Sequence, residues 1–83
     1  MVFDYSKLLG RIKEKGFTQE TLAKHIGITP GVMSDKLNNK SNFKQKEMVA
    51  IAEALDFSIY EIGVYFFVLK VRENRTDEVV ENE

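Results

Sequence analysis

The chain has 83 residues, 43% of them hydrophobic and 30% charged, a length that suits one domain burying roughly 60% of its unfolded surface. No apolar run approaches the ~20 residues that span a bilayer, and without cysteine neither a disulfide framework nor a thiolate metal site can form. The net charge of −1 and pI near 5.8 argue against a polyanion binder. Yet residues 7–46 carry nine basic side chains against three acidic ones, while Asp77, Glu78, Glu81 and Glu83 crowd the last eight positions. The first six residues lack the basic flank and apolar stretch of a secretory signal, so a cytoplasmic protein with no membrane partner is expected. The expected organisation is one folded domain over 1–75 and a short acidic, disordered tail over 76–83.

Five helices are predicted in chain order, each from one recurring start signal. A polar cap is preceded by an apolar residue, and a second apolar residue five positions further on touches the first. Phe3 and Leu8 flank Asp4 and predict a helix over 5–15; Phe17 and Leu22 flank Thr18 and predict 19–26. Ile28 and Met33 flank Thr29 and predict 30–38, with Pro30 at the first position, where its missing N–H is harmless. Phe43 and Met48 flank Lys44 for 45–55, and Phe57 and Ile62 flank Ser58 for 59 to about 66. Lys44 cannot accept a bond from helix amides, so the fourth start is poor unless Asn42 or water helps, although Glu47 is well placed near the positive end of the dipole. Ser58 with Glu61 makes a complete capping box. Gly16 and Gly27 suit the left-handed conformation that closes the first two helices. Leu8/Ile12, Leu22/Ala23/Ile26, Met33/Leu37 and Met48/Ile51/Ala52/Leu55 give each helix one core-facing stripe. The fold class is mainly α, a five-helix domain with a C-terminal strand or helix extension.

That extension is ambiguous, because 64–71 is apolar nearly all round and rich in strand-favouring residues. As a strand, Phe67, Leu69 and Val71 alternate with Phe66, Val68, Lys70 and Arg72; as a helix, it packs on its own core. A strand this hydrophobic is a sticky edge unless paired; the same strand of a second copy would pair with it, and residues 1–3 can add a further short strand. Tyr65, Phe66, Phe67, Val68, Leu69 and Val71, within the segment 64–73, are the candidate dimerisation residues, core packing being the alternative.

Between the second and third helices lie only Gly27, Ile28 and Thr29, the short glycine-containing turn of a DNA-binding helix-turn-helix. Ala23 is small enough for the helices to approach, Ile28 plugs their angle, and Leu22, Ile26, Met33 and Leu37 anchor both to the core. The stretches Thr18-Gln19-Glu20-Thr21-Leu22-Ala23, Gly27-Ile28-Thr29-Pro30, Lys36-Leu37-Asn38-Asn39-Lys40 with Phe43, and Tyr65-Phe66-Phe67 with Lys70-Val71 together resemble the phage repressor and Cro superfamily, in particular its small Cro-like proteins. The resemblance covers about 5–71. It implies a lambda-repressor-like domain in a bacterial host whose third helix enters the major groove and represses transcription. Two positions depart from it: Leu37 takes the last core place of the third helix where many members use the position of Lys36, and Asn39 stands where glycine is common.

Phosphate contacts are expected from helix N-termini and the loop after the third helix, at Gln19, Thr29, Asn38, Asn39, Lys40 and Lys44. Base reading falls to Pro30, Gly31, Val32, Ser34, Asp35 and Asn38, with Lys36 reaching a guanine or a phosphate. The set holds no Arg or Gln for bidentate bonds, so specificity should lean on DNA shape and on a homodimer matched to a palindrome. His25 lies mid-helix without a second ligand, and no P-loop, dinucleotide turn or metal-binding pair occurs. An enzyme, a cofactor, a metal site and a small-molecule substrate are therefore not expected. The rival reading is a helix-turn-helix fold that acts by protein contact, as an antirepressor or an antitoxin.

Overall fold

The capping signals become helix starts. The computed structural model describes residues 2–70 and contains α1 (Ser6–Glu14), α2 (Gln19–Ile26), α3 (Pro30–Leu37), α4 (Gln45–Ala54) and α5 (Ile62–Phe66), the last preceded by a 3-10 turn (Ile59–Glu61). Thr18 Oγ1 accepts the Thr21 N–H at 3.0 Å and Thr21 Oγ1 accepts the Thr18 N–H at 2.8 Å, so threonine does the reciprocal work usually left to glutamate. Thr29 Oγ1 accepts the Val32 N–H at 3.1 Å. Asp4 Oδ1 accepts the Ser6 N–H at 2.9 Å, which starts α1 a residue later than expected. Lys44 caps nothing through its side chain, and Glu47 compensates by accepting the Lys44 N–H at 2.8 Å.

The helix ends need residues that tolerate positive φ. Gly16 and Gly27 supply φ of +82° and +87°, and Asn39 and Asp56 supply +63° and +60° after α3 and α4. Short polar side chains accept that region better than others do. Asn39 therefore meets the same backbone demand as the glycine expected there.

The amphipathic stripes meet in one core of Leu8, Ile12, Leu22, Ala23, Met33, Ile51, Ala52 and Leu55, all buried. A second, aromatic layer closes one side. Tyr5 meets Phe43 edge to face at 5.5 Å, Phe43 meets Phe66 at 5.1 Å, and Tyr65 stacks on Phe57 at 4.1 Å. The fold is thus mainly α with five helices, and no helix among the described residues is long and apolar enough to cross a membrane.

The extension after α5 is neither a continued helix nor a full strand. Helix gives way at Phe67, and Leu69 then forms a single antiparallel bridge with Phe3. The Asp4 N–H donates to Val68 O at 2.6 Å and the Lys70 N–H to Val2 O at 2.9 Å. On the other side of Phe3 the Asn39 carboxamide acts as a substitute strand: Oδ1 accepts the Phe3 N–H at 2.8 Å and Nδ2 donates to Phe3 O at 3.0 Å. The short segment at the chain's start is thereby bonded on both edges. Val71, the end of the expected domain at 75 and the acidic tail lie outside the described residues.

Candidate functional site

The α2–α3 unit is set by the residues that the spacing singled out. Gly27 N–H and Ile28 N–H both donate to Ala23 O at 2.9 Å, closing α2 as the chain turns. Leu22, Ala23 and Met33 are fully buried beneath the turn, with Ile26, Ile28 and Leu37 packed against them. Ala23 has no exposed surface, so a larger side chain there would drive the two helices apart.

Most of the expected contact residues lie at the surface. Gln19, Thr29, Pro30, Gly31, Val32, Asp35, Asn38, Lys40 and Lys44 are exposed, and Ser34 is half-buried. Asn38 Nδ2 donates to Ser34 O at 2.9 Å, so that amide partly closes the end of α3. Thr29 is held by its cap. Lys44 and Lys46 flank Gly27 and Ile28 around a cleft beside the turn, and Lys24 and Lys40 are exposed nearby in the sequence.

Two expected contacts are corrected. Lys36 does not reach outward: it is 5% exposed, and its Nζ donates to Glu47 Oε1 at 2.8 Å and to Asn42 O at 2.9 Å. Its ammonium also lies 6.0 Å from the Phe43 ring centroid. It therefore occupies the last inner place of α3 itself, with its apolar stem in the core, and Leu37 beside it is only half-buried. The supposed departure at this position disappears. Asn39, the second, is half-buried and committed to Phe3 through both ends of its amide, so its side chain is not free for phosphate.

Glu47 was missed as Lys36's partner because the two are eleven positions apart. The signal lay in α3: Met33, Lys36 and Leu37 stand at i, i+3 and i+4, one helical face. Burial raises the Glu47 pKa, but the hydrogen bonds from Lys36 and the Lys44 amide, with the two lysine charges, outweigh it and hold the carboxyl below the ordinary glutamate value. The basic surface is also smaller than the residue count implies. Arg11 donates to Leu55 O at 3.0 Å and Asp56 O at 2.8 Å, and Lys15 lies 3.7 Å from Asp56, so both serve the end of α4.

The candidate dimerisation residues divide. Phe66 is 2% exposed and belongs to the core, and Tyr65 is half-buried against Phe57. Phe67, Val68 and Leu69 are exposed. His25 is exposed and meets the Phe17 ring edge to face at 5.4 Å. No cluster of metal-ligating side chains occurs among the described residues.

The solution structure of the modulator of repression of the temperate bacteriophage TP901-1 from Lactococcus lactis is similar to this chain. The identity is 39% and the TM-score 0.71, over 87% of this chain and 97% of that one. The chain is thus related in sequence and fold to a phage regulatory protein. No curated protein matches it. A family model described as a protein of unknown function, DUF739, matches residues 1–68, and the chain belongs to that family.

Proposed function

We propose that this chain is a phage regulatory protein that modulates repression by protein contact, presenting the outer side of its helix-turn-helix to a repressor. The observation that carries the reading is the inward turn of Lys36 onto Glu47. It leaves the outer side of α3 with Pro30, Gly31, Val32, Ser34, Asp35 and Asn38, a set with one carboxylate and no basic side chain. Such a side repels phosphate and offers guanine no bidentate donor. It suits a protein surface better, since Val32 is 40% exposed for apolar contact and Asp35 can pair with the basic side chains that a DNA-binding repressor displays. The likeness to a phage modulator of repression supports the same role.

A second reading, a Cro-like homodimer on palindromic operator DNA, is favoured by the exposed lysines at 24, 40, 44 and 46, of which Lys44 and Lys46 stand at the N-terminus of α4, where phosphates are suited. In that reading the second copy docks on Phe67, Val68 and Leu69. Selection of bound sequences from random duplex DNA, run beside calorimetric titration with the phage's repressor, separates the two. Repressor binding that Val32→Asp and Asp35→Lys each weaken at least tenfold, with no enriched DNA sequence, is the expected result. Enrichment of a palindrome with a steep negative salt slope, lost in Leu69→Glu, would establish the DNA reading instead.

A further inference from the structure

Gly31 is a glycine that α3 itself does not need. It is the second residue of the helix, its φ lies outside the left-handed region, and a Cβ built on it would meet nothing within 4 Å. Neither a turn nor close packing within the chain therefore asks for glycine, which is a poorer helix former than any residue except proline. The position is exposed, between Pro30, also exposed, and Val32, which is 40% exposed. The missing side chain leaves bare helix backbone open to whatever approaches from outside.

One turn further on stands Asp35, four residues from Gly31 and so on the same face. Helical side chains lean toward the N-terminus, which carries the Asp35 carboxylate back over the turn that Gly31 leaves uncovered. Asp35 is exposed, and the ion pairs among the described residues join Arg11 to Glu14, Lys15 to Asp56 and Lys36 to Glu47, leaving it without a cation. The neighbouring Lys36 is committed to Glu47 and to Asn42 O.

We infer that Gly31 and Asp35 form the seat for one arginine of the repressor, its guanidinium pairing with Asp35 and its stem lying across the backbone at Gly31. The seat rests on the reading that the outer side of α3 meets a repressor. Arginine suits it better than lysine, because a planar, weakly hydrated fork can bond both carboxylate oxygens while lying flat along the helix between Pro30 and Val32. Gly31 then sets how closely the repressor can approach, and Asp35 sets the charge it must bring.

Calorimetric titration of the full chain and its variants with the DNA-binding domain of the phage's repressor tests the seat. Gly31→Ala should bind at least tenfold more weakly while its thermal midpoint equals or exceeds that of the parent chain, since alanine favours helix and meets no neighbour. Gly10→Ala makes the same exchange at an exposed and equally open position of α1, and should change binding less than twofold. Asp35→Asn should weaken binding about tenfold. Combining it with Gly31→Ala should add no more than about threefold to the larger single loss, because both changes remove one contact. A lowered midpoint or unchanged binding in Gly31→Ala, an equal loss in Gly10→Ala, or a hundredfold loss in the double variant would overturn the seat and leave the repressor reading standing. No binding by the parent chain would overturn that reading itself, and the seat with it.

Discussion

The α2–α3 unit and the bridge between residues 2–4 and 68–70 are fixed by bonds of opposite range. In the first, Thr18 with Thr21, Gly27 and Ile28 with Ala23, and Thr29 with Val32 all bond within five residues. In the second, Phe3 and Asn39 stand 36 positions apart, and the Asp4 N–H reaches Val68 O and the Lys70 N–H reaches Val2 O across nearly the whole described chain. Local bonds come with a small loop-closure cost and survive fluctuations elsewhere; the long-range set holds only while the core holds. The α2–α3 unit is thus held chiefly by local bonds, and the bridge between residues 2–4 and 68–70 by remote ones.

The Lys36–Glu47 pair ties α3 to α4, and breaking it should have the largest effect. Glu47→Ala leaves the Lys36 ammonium buried without its carboxylate and removes the acceptor for the α4 start. Chemical denaturation should show a loss of about 3 kcal/mol or more. Lys36→Met keeps the apolar stem and should cost less. The pair also makes a pH prediction. Because the folded Glu47 pKa is lowered, its contribution is fully present above the ordinary glutamate pKa and is lost as pH falls through the folded value. The acid branch of the stability profile should be shallower in Lys36→Met than in the parent chain.

Next comes the turn. At Gly27 a Cβ would meet nothing within 4 Å, so Gly27→Ala tests the backbone alone at φ +87° and should cost about 1–2 kcal/mol. Asn39→Ala loses both bonds to Phe3 and the tolerance of positive φ. Hydrogen exchange should accelerate at Phe3, Asp4 and Lys70 while Leu22, Ala23 and Met33 keep their protection. Equal acceleration in both regions would show that they are one cooperative unit. The smallest effect belongs to Thr29→Ala, which removes one cap bond and should lower stability by about 1 kcal/mol.

The same contrast explains what the sequence discloses. Cap, staple and glycine-turn chemistry act within one or two helical turns, so α2 matches its expected bounds and the other helices differ only at their ends. Lys36 was misread because its charge suggests solvent, although its spacing from Met33 and Leu37 puts it inside. Only a partner remote in the chain makes that burial tolerable, and no local pattern announces Glu47. Phe66 was misplaced for the converse reason: in a segment apolar on every side, periodicity cannot say which ring turns inward. The Asn39 clasp was beyond reach from spacing alone, since a side-chain amide standing in for a strand leaves no periodic trace. The outer side of α3 was legible as a surface without Arg or Gln, and the burial of Lys36 leaves it without a basic side chain.

The central claim, that this outer side meets a protein rather than base edges, is tested most directly by titrating the isotopically labelled chain with the DNA-binding domain of the phage's repressor and, separately, with operator duplex. The account predicts saturable shifts at Val32, Asp35 and Asn38 with the repressor domain, and only salt-sensitive shifts near the lysines at 24, 40, 44 and 46 with DNA. Saturable shifts along α3 with duplex alone, and none with the repressor domain, would contradict it.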